Sequence, residues 1–131
     1  MGSANLDLVR SIFADWERGE YFSGDWADRE IEFVVADGPD PGRWTGPAGM
    51  AEHWRDFLSN WQDVRAEAQE YRELDDERVL VLHRYSGRGK GSGVRLEQVH
   101  AEAAIVMHVR EGKVTRLVAY NDRENALTDL A

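Results

Sequence analysis

Apolar residues in the N-terminal third of the chain recur first at helical spacing and then at strand spacing. Five of them follow the period of an amphipathic helix that Gly19 is placed to end: Leu6, Val9, Ile12, Phe13 and Trp16. A short second helix is predicted over residues 21–28. Residues 31–35 then alternate, with Ile31, Phe33 and Val35 on one face, which predicts a half-buried strand.

The middle of the chain carries a second, more aromatic helical stripe. A loop rich in Pro and Gly covers residues 37–42, and Gly46 and Pro47 open a helix that should run to about residue 62. The stripe consists of Met50, Trp54, Phe57, Leu58 and Trp61. A face so rich in aromatic side chains is not expected to be solvated, so this helix should lie on the core.

From residue 64 onward the pattern is that of strands joined by short turns. Turns are predicted at residues 75–77 and 111–112, and a glycine-rich hairpin connection at residues 87–93. The strands that these connections separate cover residues 64–74, 78–86, 94–110 and 113–121. Asp122 can cap a short closing helix over residues 123–130.

This order of elements predicts an α+β fold. Helices gathered on one face of a curved antiparallel sheet bury both apolar surfaces. A strongly bent sheet wrapped around the long middle helix forms a cone-shaped barrel with the helices on its concave face, and the open end of a cone is a natural small-molecule site. A length of 131 residues fits one domain, residues 1–131.

Composition and charge narrow the class of partner. The net charge of −9 argues against binding to nucleic acid or an anionic membrane, because both need basic patches. The sequence has no cysteine, which excludes disulfides and thiolate chemistry and fits a cytoplasmic protein. The N-terminus has no signal-peptide pattern, and no apolar run approaches the length of a membrane span.

Several segments together resemble a known superfamily. The segments are residues 8–20, 46–50, 86–93, 109–114 and 120–124. On these, the chain resembles the nuclear-transport-factor-2-like superfamily, and within it the SnoaL-like, polyketide-cyclase-like group. The resemblance covers nearly the whole chain and implies the cone fold, but this superfamily hosts isomerases, cyclases, hydrolases, dehydratases and binding domains alike.

The catalytic positions that the resemblance implies hold other residues here. The ketosteroid isomerase positions fall on Ile12, on Val34 or Val35, and on Ile105, which are all aliphatic; the acid of the SnoaL-type cyclases falls on Ile105 as well. The limonene-epoxide hydrolase positions fall on His83, Tyr85 and Ala119. None of these three catalytic sets is intact.

The resemblance also implies a largely apolar pocket with a few polar side chains. His83, Tyr85 and Asn121 would be the polar points: His83 as general acid or base, Tyr85 as donor to an oxyanion, and Asn121 as a positioning group. The alternative is that His83 and Tyr85 satisfy each other or nearby backbone and only line the core. The expected ligand-binding residues are Trp16, Phe33, Val35, His53, Trp54, Ala103, Ile105, Met107, Leu117 and Ala119.

Neither a metal nor a cofactor is predicted. The four histidines at positions 53, 83, 100 and 108 do not have the spacing of a metal site. His100 and His108 should point away from the pocket if the long strand is regular, whereas His53 is expected to line it from the middle helix.

The outer face of the last strands should also be apolar. Its residues are Leu80, Leu82, Ala104, Val106, Val118 and Tyr120. A monomer would expose them as one patch, and large apolar patches usually mark interfaces, so the pattern predicts a homodimer through this face.

Two main functions and one further function remain open at this point. The first is a cofactor-free acid/base enzyme (an isomerase, cyclase, lyase or hydrolase) acting on a small hydrophobic molecule. The second is a non-catalytic domain that binds such a molecule. A role based only on association with another protein is the third. Convergence of the three polar side chains around an open volume would favour the enzyme, whereas a cone filled by Trp and Phe would disfavour it.

Overall fold

The computed structural model describes residues 4–20, 25–37, 41–89 and 102–130. Within them, three helices and six strands follow one another. In chain order these are α1 (Ala4–Glu17), β1 (Ala27–Val35), β2 (Gly42–Thr45), α2 (Gly46–Asn60), β3 (Trp61–Glu73), β4 (Arg78–Gly89), β5 (Ala103–Arg110), β6 (Lys113–Tyr120) and α3 (Arg123–Leu130).

The strands described form one mixed sheet in the order β2-β1-β6-β5-β4-β3. Neighbouring strands are antiparallel except β1 and β6, which run parallel because the chain crosses over between them. Register shifts interrupt β3 opposite β4 and β5 opposite β6, and such irregularities help a sheet to bend. The predicted α+β cone with a curved sheet is confirmed.

The first two helices lie on the concave face of the sheet. The predicted stripe of α1 is buried through Val9, Ile12, Phe13 and Trp16. Gly19 follows the helix with φ +86°, and its N–H donates to the Trp16 carbonyl at 2.9 Å, which ends the helix as predicted. In α2, Met50 and Trp54 are buried in the same core.

The third helix packs on the opposite, outer face of the sheet. Ala126 of α3 is fully buried there, with Leu127 and Leu130 packed beside it. The Tyr120 hydroxyl donates to Oδ2 of Asp129 at 2.9 Å, which ties β6 to the helix. The expectation that all helices share the concave face is therefore wrong for α3, whose apolar residues match the apolar outer face of β4, β5 and β6.

This position of α3 corrects the premise of the predicted homodimer. The six outer-face residues do point away from the concave core, as the alternation predicted. Each is at most 8% exposed in the single chain: Leu80, Leu82, Ala104, Val106, Val118 and Tyr120. They form no exposed patch, because α3 packs on them, so exposure gives no reason for pairing. The homodimer stays a prediction.

Several predicted boundaries also differ from the structure. The short helix over residues 21–28 is wrong where it can be checked, since Asp25 and Trp26 form a turn and β1 begins at Ala27. Strand β2 was not predicted, and Trp61 and Gln62 belong to β3 rather than to the preceding helix. Residues 90–101, which include His100 and much of the predicted long strand, lie outside the described residues.

Candidate functional site

The concave face of the sheet is lined by rows of side chains that the strand register places side by side. One row holds large residues, namely Trp44, Phe33, Leu117, Met107 and Val79. The next row holds smaller ones, namely Gly42, Val35, Ala119, Ile105 and Val81. Beyond it, His83 lies between Ala68 and Ala103. On β2, β1 and β6 the side chains of the second row are smaller than those of the first row. The inner face therefore carries less side-chain volume towards the ends of β1 and β6.

Aromatic side chains from the two helices fill the deep part of this face. The ring centroids of Phe13 and Trp16 are 4.8 Å apart, and those of Trp16 and Trp54 are 5.6 Å apart. Trp54 in turn lies 5.9 Å from Phe33 of β1. These rings form a continuous packed cluster, which leaves the deep core to packing rather than to a ligand.

Most of the expected ligand-binding residues belong to this packed interior. Trp16, Phe33, Trp54, Ala103, Ile105, Met107 and Leu117 are at most 4% exposed. Val35 is 9% exposed, whereas His53 and Ala119 are half-buried. Among the expected residues, only these three reach towards solvent, so they mark where a molecule could enter.

His83 points inward, as predicted, but it is sealed in the core. Its side chain is 0% exposed, and its ring centroid lies 5.5 Å from that of Phe13. Burial, reinforced by the positive charge of Arg123, lowers the pKa of His83 to about 3. The imidazole is therefore neutral at pH 7 and only weakly basic. Its role as general acid or base stays a prediction that this geometry does not favour.

Asn121 takes part in a polar bracket with Asp37. The Asn121 side-chain Nδ2 donates to the Asp37 carbonyl at 3.2 Å, and its backbone N–H donates to Asp37 Oδ1 at 2.6 Å. The same carboxylate accepts from the Asp122 N–H at 3.2 Å and from Asn125 Nδ2 at 2.7 Å. This bracket joins the end of β1 to the end of β6 and the start of α3. The amide of Asn121 thus has a structural partner.

Tyr85 lies in β4 with its backbone paired to that of Ala66. Its side chain lies outside the described residues, so its predicted role as an oxyanion donor stays a prediction. His108 of β5 is half-buried between Met107 and Val109, and its strand partners are Arg78 and Arg116. It lies on the outer face, where regular alternation predicted it.

His53 stands among aromatic rings between α2 and the β1–β2 hairpin. Its ring centroid is 4.5 Å from that of Trp44 and 4.9 Å from that of Phe33. Trp54 and Phe57 follow at 5.7 Å and 6.4 Å. Burial lowers the pKa of His53, against a smaller opposing effect of the nearby Asp56 carboxylate. A neutral, half-exposed imidazole can both donate and accept a hydrogen bond.

Five half-buried residues and the buried Val35 form one corner of the concave face around His53. We call this the α2–β2 corner and define it by Val35, Gly42, Trp44, His53, Phe57 and Ala119. Val35 pairs with both Gly42 and Ala119 across the sheet. The corner is apolar apart from His53, and the Asp37–Asn121 bracket follows two residues further along β1 and β6.

Gly42, Phe57 and Trp44 of this corner were not expected as ligand-binding residues, and the largest of them is Trp44. It lies on β2, a four-residue edge strand, and residues 43–45 carried no predicted element. Alternation over four residues is too short to identify a strand. The one available signal was an isolated tryptophan between Arg43 and Thr45.

Two further observations on the described residues concern metal binding and membrane spans. They contain no group of three or more His, Cys, Asp or Glu side chains placed to hold a metal ion. Among the same residues, no helix combines the length and the apolar character that crossing a membrane requires.

Comparisons with known proteins place this geometry in context. Residues 9–117 match the family model of the SnoaL-like domain. No functionally curated protein has significant sequence similarity to the chain. Solved structures with a similar fold include an NTF2-like protein of unknown function from Burkholderia pseudomallei, with a TM-score of 0.77 and 17% identity over 97% of both chains.

Two further structures were obtained with small molecules. A protein with a ketosteroid isomerase-like fold from Catenulispora acidiphila, in complex with trimethylamine, has a TM-score of 0.69 and 13% identity over 87% of this chain and 84% of its own. The protein TerC, co-crystallised with polyporic acid, has a TM-score of 0.73 and 21% identity over 98% of both chains. At these identities the similarity concerns the fold alone.

Proposed function

Because this chain belongs to the SnoaL-like domain family, we propose that it binds a small hydrophobic molecule at the α2–β2 corner. The observation that carries the proposal is the contrast between this corner and the rest of the concave face. The expected ligand-binding residues of the packed interior are at most 4% exposed, whereas the corner combines partly exposed apolar residues with one polar side chain, His53. Small-molecule sites have this composition.

The better-supported form of this function is binding alone, without catalysis by His83, Tyr85 and Asn121. His83 is sealed behind Phe13 and has a strongly lowered pKa. The Asn121 amide is engaged by Asp37. A general base must reach the proton that it removes and should titrate near the working pH. Neither condition favours His83, so the non-catalytic alternative comes first.

The second candidate is an acid/base enzyme that acts on a small hydrophobic molecule. Its catalytic residue would be His53 rather than His83. His53 is half-exposed, and burial keeps its imidazole neutral at pH 7. A neutral accessible imidazole is the kind of group that general-base catalysis uses. This candidate requires that substitution of His53 abolish turnover, rather than only weaken binding.

Two structural neighbours support a small-molecule role for the fold. One is a complex with trimethylamine, and TerC was co-crystallised with polyporic acid. By analogy, we take this chain to accept a small organic molecule, and the packed apolar surroundings favour a hydrophobic one.

The proposal can be tested with N-phenyl-1-naphthylamine, a neutral apolar dye whose emission rises away from water. Saturable binding of one dye per chain is expected. Ala119→Leu should abolish it, because the added side chain would occupy the corner from the β6 side. Thr45→Leu is the matched control, since Thr45 is an exposed residue of β2 that is not part of the corner.

Both variants should first show wild-type far-ultraviolet circular dichroism. An absence of saturable dye binding to the folded wild-type chain would refute the proposal. Equal binding by the Ala119→Leu variant would place the dye elsewhere and refute the assigned site.

A further inference from the structure

One carboxylate joins the start of α3 to the end of β1. Asp37 lies two residues after β1, and its carboxylate accepts from the N–H groups of Asn121 and Asp122 at 2.6 Å and 3.2 Å. These two residues form the turn that leads into α3. The same carboxylate accepts from Nδ2 of Asn125, in the first turn of the helix, at 2.7 Å. The first turn of α3 is therefore fixed to the inner strand β1 as well as to β6.

This polar bracket continues directly from the α2–β2 corner. Val35 and Ala119 of the corner are paired across β1 and β6. One residue further along β1, the Ala36 N–H donates to the Ala119 carbonyl at 2.9 Å. Asp37 and Asn121 then follow, so the corner and the bracket are consecutive along both strands. The bracket therefore holds together the two strand ends on which the corner is built.

On the outer face, a small set of contacts holds α3 against the sheet. The Tyr120 hydroxyl donates to Asp129, and Nη2 of Arg123 donates to Oε1 of Gln69 at 2.5 Å and to the His83 carbonyl at 3.3 Å. The apolar contacts come from three residues, namely Ala126, Leu127 and Leu130. Eight residues are too few for a stable isolated helix, so α3 depends on this packing. Its local opening is expected to cost less free energy than unfolding of the core strands.

We propose that docking of α3 on the outer face and ligand binding at the α2–β2 corner favour each other through Asp37. When α3 leaves the sheet, the turn that carries the donors moves with it. Asp37 then loses its partners, and the ends of β1 and β6 separate at Val35 and Ala119. A ligand that contacts these two residues binds the docked state better and therefore stabilises it. This inference rests on the proposed function, because it concerns the regulation of the same site.

Amide hydrogen exchange without ligand tests the link between α3 and the strand ends. Ala126→Gly should loosen α3 through the low helix propensity of glycine and the loss of a buried methyl group. Exchange at the Leu127 and Leu130 amides should become about five- to twentyfold faster, and exchange at the Ala36 amide should become faster with it. Ala14→Gly is the matched control, since it makes the same replacement in α1 and should leave all three amides unchanged.

Binding of N-phenyl-1-naphthylamine tests the reciprocal effect. Saturating dye should slow exchange at the Leu127 and Leu130 amides of the wild-type chain by at least about fivefold, although these residues lie on the outer face. Asp37→Ala should remove this slowing, because α3 then loses its side-chain link to β1. Asn125→Ala removes one donor and is the milder variant, which should reduce the slowing. The Val106 amide in the middle of β5 reports global unfolding, and α3 should exchange faster than it.

The outcomes separate this inference from the proposed function. Saturable dye binding with unchanged exchange in α3 would leave the binding function standing and overturn the coupling. Exchange in α3 as slow as that of Val106 would show that the helix does not open locally, and would overturn it as well. Faster exchange in α3 of Ala126→Gly without faster exchange at Ala36 would refute the link to the strand ends. Slowing that persists in Asp37→Ala would refute the role of that carboxylate. An absence of dye binding would refute the proposed function and the reciprocal effect, while the ligand-free comparison would still decide whether α3 holds the strand ends.

Discussion

Leucine in place of His83 should change how the stability of the domain depends on pH. The wild-type imidazole is fully buried beside Phe13, with its pKa lowered from 6.5 to about 3. In the unfolded chain the same group titrates near 6.5. Below that pH the unfolded state binds a proton that the folded state does not bind, so the folded wild-type chain loses stability as the pH falls.

The magnitude follows from the separation of the two pKa values. Each pH unit between them changes the free energy of unfolding by about 1.4 kcal/mol. Between neutral pH and pH 4.5, His83 should therefore cost the wild-type chain about 2.7 kcal/mol of stability. The window ends well above the folded pKa of about 3, so the loss is still growing at its lower limit.

Urea denaturation of both proteins at pH 7.5, 6.5, 5.5 and 4.5 measures this effect. Effects of the other titratable groups are common to both proteins and cancel when the two free energies of unfolding are subtracted. The free energy of unfolding of His83→Leu, minus that of the wild-type chain, should rise by about 2.7 kcal/mol as the pH falls from 7.5 to 4.5. A difference that stays constant within about 0.5 kcal/mol would mean that His83 takes up a proton equally readily in the folded and the unfolded chain, and would refute the sealed position assigned to it.

Three further substitutions test the contacts around the site. Asp37→Ala should lower the free energy of unfolding in urea by about 2 kcal/mol, because it leaves the donors of the polar bracket without their acceptor. Tyr120→Phe should lower it by about 1 kcal/mol through loss of the hydrogen bond to Asp129, and a change near zero would show that this bond does not hold α3. Gly42→Ala should displace the indole of Trp44, because the added methyl group would lie 2.9 Å from its Cη2 atom. The near-ultraviolet circular dichroism should change and the affinity for N-phenyl-1-naphthylamine should fall by at least about twofold; unchanged values of both would contradict the contact between glycine and indole.

Much of the fold was predictable because most of the elements are long and strongly patterned. The stripe of α1 repeats an apolar residue at helical spacing and is buried, and β5 is a nearly continuous apolar run that is buried on both faces. Alternation along β4 placed His83 on one face with Val79 and Val81, and the family resemblance implied that this face points inward. The closing helix was predicted over the residues that form α3.

The face on which α3 packs could not be predicted from its own sequence. Its eight residues carry a weak apolar stripe, and the outer face that it covers is formed by strands distant along the chain. The apolar outer residues were identified correctly, but their pattern fits coverage by α3 as well as coverage by a second subunit. The homodimer stays a prediction, which light scattering at micromolar concentration tests. A cytoplasmic location stays a prediction as well.

The site itself was only partly predictable. His53, Val35 and Ala119 were expected to line it, whereas Trp44 was missed because β2 is too short to produce a periodic pattern. The low accessibility of His83 depends on how closely Phe13 of α1 packs against it, which is a tertiary contact that spacing along the chain does not reveal.

The most direct measurement of the proposed function is a chemical-shift map of the isotope-labelled chain titrated with N-phenyl-1-naphthylamine. Binding at the α2–β2 corner predicts the largest changes at the indole N–H of Trp44 and the ring of His53, with smaller ones at Val35 and Ala119 and none at the His83 ring. Changes concentrated at His83 and Phe13, with Trp44 and His53 unaffected, would contradict it.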